Sequence, residues 1–239
     1  MRTSLPPGAA RCWHVDLAHV DDSDVDGLAR LLPRSEIERV ERYGRLLDRK
    51  RTITAHGALR LLMRGIAGVR PDSIVIERTA QGKPKFTSGD YAFNISHSGD
   101  KVLLVIARGG EVGIDVERIR DLSDIPGIIR QFFHADEVRE LVCLPKTRLS
   151  EAFFRLWVCK EAIAKSLGLG LALDMSTYRV IEELNGPRLT AMPEPWTRKP
   201  WSLQALPLPV GYAAAIAAPW DMKVIGCHPL LPGLLLRNR

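Results

Sequence analysis

Hydrophobic and polar residues alternate along several short stretches of this 239-residue chain. Because successive side chains of a β-strand point to opposite faces, a period of two predicts strands. Seven stretches show this period, or a short apolar run between turn residues: RCWHVDL (11–17), YAFNIS (91–96), KVLLVIA (101–107), VGIDVERI (112–119), YRVIEEL (178–184), WSLQALPLP (201–209) and GYAAAIAAP (211–219). The second and third are joined by HSGD (97–100), so we expect them to form a β-hairpin.

Other stretches repeat their apolar residues with the 3.6-residue period of an α-helix. We predict helices over roughly 46–65, 125–144 and 148–168, and another at SEIERVERYG (35–44). In that last stretch, Ser35 as N-cap and Glu38 three residues later form a capping-box pattern. Strands and helices are mixed without a regular βαβ rhythm, which predicts an α+β fold rather than a doubly wound sheet.

The helix predicted at 148–168 carries charges where apolar residues are expected. At 100° per residue, Lys160, Glu161 and Lys165 fall inside its broad apolar arc. The opposite arc is polar or small and holds Arg155, Cys159, Ala162 and Ser166. In one explanation, Glu161 and Lys165 form an i,i+4 ion pair at a solvated edge, while the stem of Lys160 covers apolar neighbours. In the other, the three charges meet opposite charges from elsewhere, because an unpaired charge is normally excluded from a buried face.

Composition and charge narrow the classes of protein. The length suits one large domain or two small ones, and Lys plus Arg exceed Asp plus Glu by 34 to 28, a net charge of +6. This excess suits an anionic partner, which a nucleic acid, a phosphorylated ligand or an acidic protein would each satisfy. The four cysteines are far apart, without a CxxC motif, so neither a zinc site nor a disulfide framework is expected. No apolar stretch suits a signal peptide or a bilayer span, and we expect a cytoplasmic protein with no membrane partner.

Two carboxylates lie on one face of a predicted strand. In VGIDVERI, alternation places Asp115 and Glu117 together and Ile114 and Val116 on the other face. A half-exposed strand with its acidic side in solvent explains this pattern. This is the usual explanation for an isolated D-x-E. The alternative is a hard-cation site, because Mg²⁺ takes oxygen ligands, and Glu161 is then a candidate third acid.

Several polar residues near predicted turns are candidates for anion binding. Ser96, His97 and Ser98 are predicted at the hairpin tip, and Lys83 follows the turn signal at Gly82. Each is also explained as an ordinary turn residue, and the basic side of the 46–65 helix as a solvated face. The chain contains no Walker A, GxGxxG, GxSxG or HExxH motif, which argues against P-loop hydrolysis, dinucleotide redox chemistry and triad acyl transfer.

Taken in order, GKPKF, FNISHSGD, VGIDVERI and FRLWVCKEAIAKSLG resemble the 4′-phosphopantetheinyl transferase superfamily, in its longer, monomeric bacterial type that activates surfactin synthetase. A G-[IV]-D-[IV]-E strand matches residues 113–117, and a W-x-x-K-E-A-x-x-K helix matches residues 157–165. The stretch RQFFHADE (130–137) is similar to the F-F-x-x-x-E segment of the family. The resemblance covers roughly residues 40–215.

The resemblance implies two similar α+β halves related by a pseudo-two-fold, each a small antiparallel sheet packed with helices, with a ligand cleft between them. We divide the chain into 1–110, which would supply contacts on the nucleotide side, and 111–239, which would supply the metal and phosphate site of the same functional unit. The implied activity transfers the 4′-phosphopantetheine arm of coenzyme A to a serine of an apo acyl or peptidyl carrier protein. It releases adenosine 3′,5′-bisphosphate and depends on Mg²⁺. The expected partners are coenzyme A and apo carriers, the expected state is a monomer, and no nucleic acid is involved.

The same resemblance implies roles for individual residues. Asp115, Glu117 and Glu161 would hold the Mg²⁺, with Glu161 also proposed as general base and Lys165 as the second catalytic residue. Coenzyme A would meet basic and hydroxyl residues from both predicted halves. Lys160 and Lys165 are expected near its diphosphate and Lys83 and His97 at its 3′-phosphate, with Arg51, Thr52 and Ser96 nearby.

Two rival functions fit less well. A basic nucleic-acid-binding module is suggested by the Arg-rich region 39–64, yet it has no use for a cluster of acids. A catalytically inactive coenzyme A binder would need a broken motif, whereas each expected acid and lysine is present. The segment 33–51 is poorer in lysine than the family pattern, and the tail 226–239 carries no motif that we can interpret.

Overall fold

The protein is described here by a computed structural model that covers residues 4–237. Residues 1–3 and 238–239, at the ends of the two predicted halves, lie outside this part. The strands are β1 (Ala9–Asp16), β2 (Ile76–Arg78), β3 (Pro84–Phe86), β4 (Tyr91–Ser98), β5 (Lys101–Arg108), β6 (Gly113–Arg118), β7 (Arg179–Glu183), β8 (Gly186–Ala191), β9 (Ser202–Ala205), β10 (Tyr212–Ala218) and β11 (Lys223–Pro229). The helices are α1 (Asp22–Ala29), α2 (Arg34–Glu41), α3 (Leu46–Ala67), α4 (Ile125–Phe132), α5 (Ala135–Val142), α6 (Lys146–Leu167) and α7 (Pro232–Arg237).

The order of elements occurs twice along the chain. Strand β1, helices α1–α3, the hairpin β2–β3 and strands β4 and β5 are followed by β6, α4–α6, β7–β8, β9 and β10 in the same succession. Helices α3 and α6 each have 22 residues and end at a left-handed glycine, Gly68 or Gly168. The sheets also correspond, with β1-β5-β4 in one and β6-β10-β9 in the other. This arrangement confirms the α+β class and the two similar halves.

A final strand returns to the first sheet. β11 lies parallel to β1, whereas β1 and β5 and β4 and β5 are antiparallel. The change from the first series of elements to the second falls between Arg108 and Gly113. The division into domains at residue 110 stays a prediction, and β11, from the range 111–239, completes the sheet of the other range.

Strand β5 joins the two halves through apolar residues on both of its faces. Val102, Leu104 and Ile106 are buried with α3 in one core. Leu103 and Val105 are buried with β6 and β10 in another core. Burial on both faces explains why KVLLVIA is a continuous apolar run rather than an alternating one.

Helix α6 packs closely on the second sheet through its small residues. A Cβ added to Gly113 of β6 would lie 2.0 Å from the backbone oxygen of Ala162 and 2.4 Å from the nitrogen of Ser166. Cys159, Ala162 and Ser166 are all buried, so the polar or small arc faces protein from Cys159 onward, whereas Arg155 near its start is exposed. Since β10 carries mostly alanines, it leaves room for this approach.

Several local predictions need correction. Helix α2 begins at Arg34 after Pro33, with no side-chain cap, so Ser35 is not the N-cap. The single helix predicted over 125–144 is two helices, because Phe133 is extended and His134 caps α5. The turn of the β4–β5 hairpin is formed by residues 99–100, and His97 and Ser98 belong to β4.

The cysteines and the helices bear on the remaining predictions from composition. The four cysteines are free thiols; Cys12 and Cys159 are buried, whereas Cys143 is exposed. Within residues 4–237, none of the helices has both the length and the apolar content needed to cross a membrane.

Candidate active site

Strand β6 carries the buried Asp115, whose two carboxylate oxygens differ in their hydrogen bonds. Oδ1 accepts hydrogen bonds from Lys165 Nζ at 2.6 Å and from Ser96 Oγ at 2.8 Å. Oδ2 is buried and has no hydrogen-bond partner among the described residues, and the side chain as a whole is 5 % exposed. Burial raises the pKa of Asp115, although Lys165 and Ser96 act in the opposite direction. An unpaired buried carboxylate oxygen is costly, so this atom marks a place for a positive ligand.

Glu117 lies two residues further along the same face of β6. Its Oε2 accepts hydrogen bonds from Ser98 Oγ at 2.7 Å and from Arg120 at 3.1 Å. Arg120 also lies over the ring of Phe154, 5.3 Å from its centre. The acidic side of the strand is therefore held against protein groups, contrary to the explanation by a simple solvated face.

Helix α6 brings Glu161 and Lys165 to these acids. Lys165 forms an ion pair with Asp115 on the strand. Of the two explanations from the sequence, this favours opposite charges from elsewhere over an i,i+4 pair of Lys165 with Glu161. Burial raises the pKa of Glu161; Lys165 opposes the rise, and Asp115 and Glu117 add to it. Side chains from β4, β6 and α6 line a cavity of about 340 Å³. Its lining residues are Ile95, Ser96, His97, Asp115, Glu117, Trp157, Glu161 and Lys165.

The donors of this cavity fit a hard divalent cation in kind. Asp115, Glu117 and Glu161 offer carboxylate oxygens, which Mg²⁺ prefers, and one of these oxygens lacks a partner. As the side chains stand, no three His, Cys, Asp or Glu residues within residues 4–237 are close enough to hold a metal ion. Lys165 and Arg120 supply the positive charge at Asp115 and Glu117 instead.

A second cavity of about 380 Å³ adjoins the first and is basic. His97 and Lys165 line both cavities. The lining also includes Thr52 but no acidic side chain, and its ionisable nitrogen-bearing members are Arg39, His56, Arg78, Lys83, His97 and Lys165. Loss of solvent contact around the ring lowers the pKa of His97, and the positive charge of Arg51 lowers it further. A basic cavity next to a carboxylate pocket suits a ligand with several phosphates that also binds a cation.

Several lining residues were missed at the level of sequence. Arg39, Tyr43, His56, Arg78 and Gln81 line the basic cavity. The Arg39 Nε is buried and has no hydrogen-bond partner among the described residues. The Arg-rich composition of 39–64 was a signal for Arg39, Tyr43 and His56 alone, and it does not distinguish a cavity wall from a solvated face.

Lys83 and Arg51 are already engaged in contacts within the protein. Lys83 Nζ pairs with Glu111 at 2.5 Å and donates to the carbonyl oxygens of Val112 and Ser166. Burial lowers the pKa of Lys83, and Glu111 opposes this. Arg51 donates to the carbonyl oxygen of Gly99 at the hairpin turn and to Asp48, and it does not line the basic cavity. In this structure the charged groups of both residues are therefore held by other groups of the protein.

The expectation that Lys160 lies beside a bound phosphate is wrong for this structure. Lys160 and Glu137 are both 0 % exposed and form an ion pair at 2.8 Å. Lys160 also donates to the carbonyl oxygens of Met175 and Tyr178, which leaves its ammonium enclosed by protein groups. The helical wheel placed it correctly in the apolar arc, but the counter-ion comes from α5, which only the fold brings near. Glu137, the last residue of the F-F-x-x-x-E segment, is therefore a structural partner of α6.

The fold and the two cavities suit a protein that binds a phosphorylated ligand together with a cation, and comparison with known proteins identifies its class. The model of the 4′-phosphopantetheinyl transferase superfamily matches residues 111–217, and that of the N-terminal part of a 4′-phosphopantetheinyl transferase matches residues 20–108. The 4′-phosphopantetheinyl transferase HetI of Nostoc sp. is 32% identical over 164 residues, covering 67% of this chain and 69% of that protein. The 4′-phosphopantetheinyl transferase psf-1 of Bacillus pumilus is 28% identical over 234 residues, covering 94% and 98%.

The chain belongs to the 4′-phosphopantetheinyl transferase superfamily, as these matches show. It is an enzyme of that class, as the sequence motifs predict. Among solved structures, a holo-(acyl-carrier-protein) synthase from Bacillus anthracis in complex with CoA is 20% identical. Its TM-score is 0.38, and the match covers 45% of this chain and 92% of that one.

Proposed function

We propose that the protein transfers the 4′-phosphopantetheine arm of coenzyme A to a serine hydroxyl of an apo carrier protein or carrier domain, with Mg²⁺, and releases adenosine 3′,5′-bisphosphate. The observation that carries the proposal is the common wall of the two cavities, formed by Ile95, His97 and Lys165. A ligand that passes from the basic cavity to the carboxylate cavity needs one phosphate group for the basic side chains and another that shares a cation with the acids. Coenzyme A, with a diphosphate and a 3′-phosphate, meets that need.

The basic cavity would receive the nucleotide end of coenzyme A. Its volume of about 380 Å³ is within the usual range of ligand pockets, about 300–1,000 Å³. His97 is our candidate for the 3′-phosphate, with Arg39 and Arg78 in the same lining and Thr52 and Lys83 in the walls. Lys165 lies at the junction of the cavities, where the diphosphate would pass, and its ammonium is a suitable partner for phosphate oxygens.

The carboxylate cavity would hold the Mg²⁺ through Asp115, Glu117 and Glu161. When bound there, the ion would neutralise charge on the diphosphate oxygens and favour departure of the leaving group. The unpaired Oδ2 of Asp115 supports this assignment, because a buried carboxylate oxygen without a partner is rare in folded proteins.

The chain's own residues would manage charge and protons during transfer. The serine oxygen of the carrier attacks the β-phosphorus of coenzyme A, and the bond from that phosphorus to the oxygen bridging to the α-phosphorus breaks. The electron pair leaves with adenosine 3′,5′-bisphosphate. Lys165 opposes the negative charge that spreads over the phosphate oxygens.

Glu161 is the proposed acceptor of the serine proton, directly or through a water molecule. In the protein without a bound ion, burial raises the pKa of its carboxyl group, which favours uptake of a proton. Among the described residues, no side chain forms a salt bridge with Glu161, and its carboxylate lines the cavity beside Trp157. The nucleophile comes from the partner, in agreement with the absence of a triad motif in this chain.

The proposal includes a division of labour between the predicted domains. Residues 1–110 would supply the nucleotide side and residues 111–239 the metal and phosphate side of one site. We propose that the protein acts as a monomer, because one chain supplies both cavities. We also propose that it acts in the cytoplasm.

The direct test is to incubate the protein with coenzyme A, Mg²⁺ and a panel of apo carrier proteins and to record intact masses. We expect one carrier or more to gain a single phosphopantetheine, with loss of the reaction in a chelator. The matched variant is Asp115→Asn, which keeps size but removes the charge. It should lower turnover by more than about 100-fold. Loss of a residue that only orients a metal ligand typically costs about 10- to 100-fold, and Asp115 would be a ligand itself. Turnover equal to the unaltered protein, or binding of coenzyme A without any transfer, would count against the proposal.

A further inference from the structure

The edge of the second sheet is joined to the first sheet by side chains rather than by backbone pairs. On β6, the N–H groups of Ile114, Val116 and Arg118 donate at 2.9, 3.3 and 3.1 Å to oxygens from β4. The acceptors are side chains at every second position of β4: Asn94 Oδ1, Ser96 Oγ and Ser98 Oγ. Because β6 pairs with β10 on its other side, these three bonds satisfy the edge that would otherwise be open.

Two of the three side chains make a second bond that the third does not. The Ser96 hydroxyl accepts from Val116 and from Lys165 Nζ and lies 2.8 Å from Asp115 Oδ1. Since both of its lone pairs are occupied, its hydrogen must point to Asp115. The Ser98 hydroxyl likewise accepts from Arg118 and donates to Glu117 Oε2 at 2.7 Å.

The result is the same for both acids of β6. Each carboxylate has one oxygen held by a serine of β4 and by a cationic side chain, Lys165 or Arg120. The other oxygen, Oδ2 of Asp115 or Oε1 of Glu117, accepts no hydrogen bond from any residue between 4 and 237. A carboxylate anchored in this way presents its second oxygen in a defined direction.

We propose that Ser98 is a positioning residue for Glu117, and that Ser96 does the same for Asp115, so that strand β4 of one half orients the ligand oxygens of the other half. The inference rests on the proposed function, because it assumes that these oxygens bind the metal. Asn94 provides the matched comparison, since it makes the same bond to the edge of β6 and contacts neither acid. Partners that orient a metal ligand commonly change metal affinity by about 10- to 100-fold.

The test compares Ser98→Ala, Ser98→Thr and Asn94→Ala in the full chain. Binding of Mn²⁺, as the probe for the divalent site, is measured without coenzyme A by electron paramagnetic resonance, and the melting temperature is measured in parallel. We expect Ser98→Ala to weaken Mn²⁺ binding by about 10-fold. We expect Ser98→Thr, which keeps the hydroxyl, to bind almost as the unaltered protein does. Asn94→Ala should lower the melting temperature but keep the Mn²⁺ affinity.

Transfer kinetics separate this inference from the proposed function. In Ser98→Ala, the Mg²⁺ concentration for half-maximal rate should rise by about 10-fold, while the rate at saturating Mg²⁺ stays close to that of the unaltered protein. Unchanged Mn²⁺ affinity in Ser98→Ala, or an equal loss of Mn²⁺ affinity in Asn94→Ala, would overturn the inference. Ser98 would then serve only the contact between β4 and β6. If the unaltered protein transfers nothing and binds no Mn²⁺, the proposed function fails and the inference fails with it.

Discussion

Asp115 illustrates how single residues of the site give up stability for chemistry. Its buried Oδ2 has no partner, and its raised pKa means that the folded protein disfavours the charge at this position. Lys165 offsets part of the cost from α6, and Ser96 offsets another part from β4. A site with this imbalance is ready to take up a cation, since binding supplies the missing partner.

His97 is the residue whose assignment to the 3′-phosphate can be tested most directly. We expect His97→Ala to raise the KM for coenzyme A by about 10-fold or more, because a hydrogen bond to a charged group contributes about 1.5–3 kcal/mol. Dephospho-coenzyme A lacks the 3′-phosphate, so its KM should barely change. Steady-state kinetics with both substrates measure the difference.

The control for this experiment is His228→Ala on β11, which is outside both cavities and should leave both KM values unchanged. An equal increase for the two substrates in His97→Ala would place the ring elsewhere on the ligand.

At the scale of elements, the sequence pattern predicts the parts that carry the site better than the parts that support them. The ends of β6 and α6 are predicted to within two residues, because alternation and the 3.6-residue period are strong there. Strand β11 was missed because Gly226 interrupts it and most of it is exposed, so its pairing with β1 is set by tertiary contact. The pairing of Lys160 with Glu137 was missed for a similar reason, since nothing local links α6 to α5.

Helix α2 is the element that carries Arg39, and its attachment to α3 depends on Glu36. The two oxygens of Glu36 bind Arg60 at 2.6 Å and His56 at 2.9 Å. Arg60 is 1 % exposed and also donates to the carbonyl oxygens of Pro71 and Ile74. Removal of the Glu36 charge would leave a buried guanidinium without its counter-ion.

We expect Glu36→Gln to lower the free energy of unfolding by about 2 kcal/mol at pH 7. Breaking a fully buried ion pair costs about 3–5 kcal/mol. We expect a smaller loss because the side chain of Glu36 is 15 % exposed. Urea denaturation measures the change. The control is Glu38→Gln in the same helix, because Glu38 pairs with the exposed Arg34 and such pairs contribute about 0–1 kcal/mol.

The effect of Glu36 should also depend on pH. Burial alone would raise the pKa of Glu36, but the hydrogen bond and charge of His56, together with Arg60, lower it below the ordinary 4.5. A carboxyl group with a lowered pKa in the folded state adds stability above its unfolded pKa and loses it as pH falls through the folded pKa. The difference between the unaltered protein and Glu36→Gln should therefore be full at neutral pH and shrink below pH 4.5. A difference that stays constant down to strongly acidic pH would contradict this origin.

At the scale of the whole molecule, the site exists because two repeated halves meet along β4 and β6. The motifs predict the acids and Lys165, but they contain no signal that Asn94, Ser96 and Ser98 line up against the edge of β6. That contact depends on the packing of two sheets, and the two halves show no repeat in sequence. The sequence does not predict the position of the basic cavity for the same reason, because its walls come from α2, α3, the β2–β3 hairpin, β4 and the end of α6.

The positive net charge of +6 leads to a prediction about the encounter with the carrier partner. If the carrier surface is acidic, attraction between the two proteins speeds association at low salt, and added salt screens it. The screening length falls from about 10 Å at 0.1 M salt to about 3 Å at 1 M. We expect the association rate, measured by stopped-flow fluorescence, to fall by about 10-fold or more over this range, with little change in dissociation.

Charge reversal in the chain itself provides the matched test of this steering. Arg198→Glu and Lys199→Glu lie in an exposed segment away from both cavities, so they lower the positive charge without touching the proposed site. The doubly altered protein should associate more slowly than the unaltered one at low salt. At about 1 M salt the two proteins should associate at nearly the same rate, because screening removes the long-range attraction. Because docking also requires contacts that no long-range field supplies, the rate at high salt measures that remaining part. An association rate that is independent of salt in both proteins would show that overall charge plays no part in the capture of the carrier.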